Sequence, residues 1–136
     1  MPKFSAASLK QYNTLCEELQ RVCDRVIQTF DFSIIEGFRN EQKQNLAYIK
    51  GFSKVKWPNG RHNKSPSDAM DLAPYPIDWS NDADAIREFC YLAGFVVGIA
   101  SELGIKLRWG GDWNSDRDLQ DEKGLRDWGH FEVIRD

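Results

Sequence analysis

The sequence predicts an α+β domain in which a small, mainly antiparallel sheet packs against two long helices. Three observations predict it. Residues 8–28 and 82–103 carry apolar side chains at helical spacing over helical lengths. Four short segments, 32–36, 69–73, 105–109 and 130–134, read as strands. The connections 51–68 and 110–127 have no helical period, so they are not the helical crossovers that a parallel sheet requires.

The first helix is drawn by Leu9, Tyr12, Leu15/Cys16, Leu19, Val22/Cys23 and Val26/Ile27, with Ser5 or Ser8 as its cap. Phe32 to Glu36 forms the first strand and is closed by Gly37. A second, more polar helix follows over about 40–50. Residues 51–67 hold Gly51, Pro58, Asn59, Gly60, Asn63 and Pro66 and make a long loop, of the kind that usually carries function. Ala69 to Ala73 is a strand ending at Pro74-Tyr75-Pro76. The long helix over 82–103 has Ser80 or Asn81 as cap and Gly104 as stop, and its centre from Phe89 to Ala100 is apolar almost all round, which predicts a fully buried helix. The segment Ile105 to Trp109 alternates as a strand, an acidic loop spans 110–127, and His130 to Ile134 alternates as the last strand.

Composition bounds the function. With 136 residues the chain is expected to be a single domain over 1–136, large enough to bury about two-thirds of its unfolded surface without help from metals or disulfides. It is 41% hydrophobic and 29% charged, with a mean hydropathy of −0.57, which excludes a membrane protein and a disordered chain. A net charge of −3 argues against a nucleic-acid domain with a broad basic face. Cys16, Cys23 and Cys90 are an odd number without CxxC spacing, so buried reduced thiols are expected. The N-terminus shows no apolar core of a signal peptide, so synthesis in the cytoplasm is expected, and no segment reaches transmembrane length.

The only two histidines lie where polar, irregular segments meet short strands. His62 precedes the strand that carries Asp71, and His130 opens the last strand, on one face with Glu132 and opposite Phe131 and Val133. Two imidazoles and a carboxylate are a common open zinc set with a fourth position for water. His62, Asp71 and His130 are candidates for it. A hydrolytic site also needs a base and a donor for the developing negative charge. Asp127 can supply the base if Trp128-Gly129 bends the chain, and Arg39, at an element end, is a candidate donor. Each residue also has a plainer explanation: a surface or capping histidine, a turn-forming Asp beside prolines, an Arg in a surface ion pair.

Four ordered blocks give the pattern more content. They are Ile35-Glu36-Gly37-Phe38-Arg39, Arg61-His62-Asn63-Lys64-Ser65-Pro66-Ser67-Asp68-Ala69-Met70-Asp71, Gly104 to Trp113, and Asp127-Trp128-Gly129-His130-Phe131-Glu132. In these blocks the chain resembles the peptidase family of zinc D,D-carboxypeptidases and phage L-alanyl-D-glutamate endopeptidases with the Hedgehog/DD-peptidase fold. The resemblance implies that His62, Asp71 and His130 bind one zinc ion, that Asp127 is the base and that Arg39 steadies the oxyanion. It also implies a peptidoglycan stem peptide as substrate, cut between L-Ala and D-Glu as a phage endolysin does, by a monomer that reaches the wall after release. A D-Ala-D-Ala carboxypeptidase or dipeptidase, or a non-catalytic zinc-stabilised wall-binding domain, are the alternatives. The chain departs from the family pattern SxHxxGxAxD in two places: His62 and Asp71 are nine apart, with Ser65-Pro66-Ser67 in the turn, and Gly60 replaces the serine.

Two further features have competing explanations. Asp112, Asn114, Asp116 and Asp118 occupy alternate positions like the start of a Ca2+ loop, but Arg117 and Lys123 stand where an EF-hand needs Gly and Glu, which favours a solvated acidic loop. Trp57, Trp109, Trp113 and Trp128 either line a substrate cleft or pack the core and rim.

Overall fold

The computed structural model describes residues 2–117 and 127–135. Four helices, α1 (Ala6–Tyr12), α2 (Glu17–Val26), α3 (Glu41–Ile49) and α4 (Ala83–Glu102), accompany four strands, β1 (Phe32–Glu36), β2 (Ala69–Pro74), β3 (Leu107–Trp109) and β4 (His130–Val133). The strands form one fully antiparallel sheet in the order β1-β2-β4-β3. The last strand in sequence is thus an inner one. It places His130 directly opposite Asp71 and Phe131 opposite Met70.

The predicted first helix is two helices. Ser5 caps α1 through a bond from Ser8 N, but the chain leaves the helix at residues 13–16. The reason is competition from the backbone of Ser67: Cys16 N donates to Ser67 O at 2.9 Å and Ser67 N donates to Thr14 O at 2.8 Å. Thr14 adds a second anchor, because its hydroxyl donates to Gln11 O and accepts from Phe38 N. The break therefore ties the start of the chain to the segment that leads into β2.

Helix α4 begins one residue later than expected, with Asp82 as cap accepting from Ala85 N at 2.9 Å, and Gly104 ends it at a φ of 75°. Its burial is one-sided. Phe89, Leu92, Ala93, Val96 and Ala100 face the core, while Tyr91 and Val97 are exposed beside the small residues Gly94 and Gly98. The apolar composition of that second face misled the sequence reading. Core-facing residues of α2 and α4 meet Phe32, Ile34, Met70, Leu72, Phe131 and Val133 from one face of the sheet. Period-2 alternation then sends Asp71, His130 and Glu132 to the other face.

Cys16 and Cys23 are buried thiols and Cys90 is partly buried, all three free. No described helix is long and apolar enough to cross a membrane.

Candidate metal centre and active site

Each member of the site is placed by a local backbone feature. Asp71 comes from β2, and a β-bulge at Ile35 in β1 sets Glu36 opposite it. His130 faces Asp71 across the β2–β4 ladder. His62 sits in a single 3-10 turn, Arg61–Asn63, at the end of the long loop, where Arg39 N donates to His62 O at 2.8 Å.

The same turn explains Gly60. Its backbone N donates to Asn63 Oδ1 at 2.8 Å, and a Cβ at residue 60 would come within 2.6 Å of that oxygen and 3.0 Å of Gln44 Oε1. A serine would not fit without moving this network. Gln44 is fully buried: its Oε1 accepts from Arg39 Nη1 and Asn63 Nδ2, and its Nε2 donates to Ser53 Oγ and Val55 O.

The two imidazoles and the carboxylate converge. His62 Nε2 and His130 Nδ1 lie 3.3 and 3.2 Å from the same atom, Asp71 Oδ1, and one ligand atom from each residue falls within 4.8 Å of the others. His62 Nδ1 donates to the Gly37 carbonyl at 2.7 Å, so the hydrogen is on Nδ1 and the Nε2 lone pair points into the site. That Nε2 is buried and makes no hydrogen bond, its approach to Asp71 being off-axis. An orphaned ring nitrogen beside a carboxylate fits a metal ligand.

His130 Nε2 donates to Glu132 Oε1 at 2.9 Å, which leaves Nδ1 as its ligand atom. Burial pushes the His130 imidazole down, but hydrogen bonds to Asp71 and Glu132 outweigh it and raise the pKa to about 10. A metal at Nδ1 would take the place of that proton.

Charges around the site are sorted by environment. Burial pulls the Asp71 carboxyl upward, yet the two imidazoles beside it, His62 and His130, hold it well below the usual carboxylate range. Asp127 behaves oppositely: burial raises its carboxyl, and the Asp71 charge adds to the rise. Two neighbouring carboxylates with pKa values pushed apart are suited to separate tasks, one binding a cation and one carrying a proton.

Asp127 reaches the site through a tight turn. Its carbonyl accepts from His130 N at 3.1 Å, and Gly129 lets the turn lie against β2, where Leu72 N donates to Gly129 O at 2.8 Å. A Cβ at residue 129 would meet Leu72 O at 2.3 Å.

Arg39 is brought to the same place. It pairs with Glu36 through Nε and lies 3.6 Å from Asp71 Oδ2 through Nη2. The structure therefore collects all five residues expected from the sequence.

Sequence reasoning missed Glu132 and Gln44. Glu132 is buried, pairs with His130, and faces Arg61 at 3.3 Å and Arg108 at 3.8 Å. Its shared face with His130 was the available signal. Gln44 gave none, since its partners are 5 to 19 residues away and joined only by folding.

The tryptophans divide between both expectations. Trp113 packs on the His130 ring at 5.5 Å and Trp128 borders the cleft, whereas Trp109 is buried with its indole N–H on Trp128 O and Trp57 packs edge-on to Phe38. In the acidic loop, Asp112 Oδ2 accepts from Arg117 N, and Asn114 donates to Asp116. Asp118 and Lys123 lie outside the described residues.

A His–Asp–His cluster on the side of an antiparallel sheet turned away from α2 and α4, with the Asp127 carboxyl beside it, defines a candidate hydrolytic centre on an α+β domain. The family model for phage L-alanyl-D-glutamate peptidases matches residues 1–134, and the chain belongs to that family. It is 39% identical over 141 residues to the L-alanyl-D-glutamate peptidase of Escherichia phage T5, spanning 97% of this chain and 98% of that one. Among solved structures it resembles the L-Ala D-Glu endopeptidase ChiX of Serratia marcescens, with a TM-score of 0.72 at 25% identity, covering 97% of this chain and 90% of that one. The expected α+β fold and peptidase class are thereby borne out.

Proposed function

We propose that the chain is a zinc peptidase that hydrolyses the L-Ala–D-Glu bond of the peptidoglycan stem peptide, acting as a single-domain, monomeric endolysin on the wall after release from the host cytoplasm. The observation that carries this is the buried, unbonded His62 Nε2, aligned with His130 Nδ1 on one oxygen of Asp71. Family membership supports the substrate.

His62, Asp71 and His130 would hold the ion. When bound, zinc supplies a Lewis acid for the scissile carbonyl and makes a water acidic enough to ionise near pH 7. Gly37 and Glu132 fix the tautomers of the two imidazoles, so both ligand lone pairs face inward. Asp127 accepts the proton of the attacking water and returns it to the departing D-Glu amine. Its raised pKa suits the return step, because the acid form persists closer to neutral pH. Arg39, already steered by Glu36 and Gln44, offers positive charge to the carbonyl oxygen.

The test is digestion of purified sacculi by the zinc-loaded protein, followed by identification of the new amino termini. D-Glu amino termini are expected. Release of D-Ala alone would favour a D,D-carboxypeptidase, and wall binding without any new amine would leave a non-catalytic domain.

A further inference from the structure

Two cavities meet at Asp127, and they differ in charge. The larger, about 480 Å3, is bordered by Arg39, Lys54 and Arg61 together with Trp113 and Glu132. The smaller, about 270 Å3, is bordered by Ile35, Trp79, Phe89 and Trp128, with Asp71 and Asp78 and no cation among its described lining residues. Asp127 lines both. A peptide crossing the candidate centre therefore runs from an aromatic, acidic compartment into a basic one.

The proposed substrate has a matching asymmetry. In the stem peptide D-Glu continues through its γ-carboxyl, so its α-carboxylate stays free on the carbon next to the leaving nitrogen. The other side of the scissile bond, L-Ala and the lactyl-muramyl group, carries no charge. With Asp71 committed to the ion, Asp78 still disfavours an anion in the smaller cavity, whereas Lys54 and Arg61 attract one in the larger.

The cations differ in how far they are already engaged. Arg39 is bonded to Glu36 and Gln44. Among the described residues, Arg61 approaches Glu132 through Nε at 3.3 Å and Lys54 has no ion-pair partner. Lys54 is nevertheless positioned, because both its neighbours are pinned: the buried Gln44 amide donates to Ser53 Oγ at 3.0 Å and to Val55 O at 2.8 Å.

Resting on the peptidase reading, we propose that the D-Glu α-carboxylate lies in the larger cavity against Lys54 and Arg61, and that the muramyl–L-Ala side lies in the smaller cavity against Trp79 and Phe89. Lys54 and Arg61 then select the acidic form of the stem peptide over one whose α-carboxyl is amidated. The leaving nitrogen falls at the junction where Asp127 can reach it.

Two synthetic muramyl peptides that differ only in having the D-Glu α-carboxylate or its α-carboxamide test this with the zinc-loaded protein. The wild type is expected to favour the acid in kcat/KM by roughly fivefold, through KM, with the preference shrinking as salt rises. Lys54→Glu is expected to abolish or reverse the acid-to-amide ratio, and Lys54→Arg to keep it. A folding defect would lower both rates and leave the ratio intact, so an unchanged ratio in Lys54→Glu overturns the proposal, as does equal cleavage of both peptides by the wild type. If neither peptide yields a D-Glu amino terminus, the peptidase reading fails and takes this inference with it.

Discussion

Glu132 gives the most direct test of how the centre is built. Its side chain is 7% exposed, Oε1 accepts the His130 Nε2 proton at 2.9 Å, and Oε2 faces Arg61 and Arg108. Replacing it by Ala removes the acceptor that fixes the His130 tautomer and leaves two guanidinium groups without their carboxylate. Loss of such an outer partner typically weakens metal binding by about 10- to 100-fold, or roughly 1.4–2.7 kcal/mol. Glu132→Gln keeps an oxygen acceptor and loses only the charge, so its loss should be about tenfold or less. Zinc affinity is read by competition with a chromophoric chelator, and the Co2+ absorption spectrum reports ligand geometry independently of activity. A Glu132→Ala protein that binds zinc within about twofold of wild type, with an unaltered Co2+ spectrum, would refute the argument.

Three other perturbations follow from the same geometry. Asp127→Ala should lose at least about 100-fold in kcat while retaining zinc, and the acid limb of the wild-type kcat/KM profile should sit above the ordinary Asp range because burial raises this carboxyl; metal content falling with activity would make Asp127 a ligand or a structural residue. Gly129→Ala drives a Cβ to 2.3 Å from Leu72 O and should cost about 1–3 kcal/mol, read as a lower urea midpoint, with an unchanged midpoint counting against the close-approach argument. Arg135 pairs with Glu18 and Asp68 and, although burial opposes the shift at Asp68, holds both carboxyls below their ordinary range. Folded pKa values below the unfolded ones mean stability that is present above about pH 4–5 and lost as pH falls through the folded values. Arg135→Ala should therefore be less stable near pH 7 by up to about 1 kcal/mol, discounted for the solvent-exposed Arg, with the difference closing in acid. A gap independent of pH would show that the ion pairs are not its origin.

Much of the site was legible because strand alternation is strict. Placing Asp71 opposite in face to Met70 and Leu72, and His130 opposite to Phe131, needed only the period of two and one apolar side. Asp127 was legible through Gly129, a residue whose freedom from a Cβ announced a bend. What sequence could not supply was the interruption of the first helix, since periodicity runs unbroken through Thr14 and Leu15. Backbone bonds to Ser67, more than 50 positions away, override it. The same limit hid Gln44, whose polar side chain on a polar helix reads as solvent-facing. In α4 the error ran the other way: Tyr91, Gly94, Val97 and Gly98 read as core, yet the sheet covers only one side of that helix.

The inner position of β4 also governs when the centre can exist. β1 and β2 pair without any residue of 127–133, whereas His130, Glu132 and Asp127 all belong to β4, which lies between β2 and β3, and to the turn that leads into it. Without β4 only His62 and Asp71 of the candidate ligand set remain, fewer donors than an open zinc site needs. Truncation or local melting of that one strand is therefore expected to remove metal affinity and activity together.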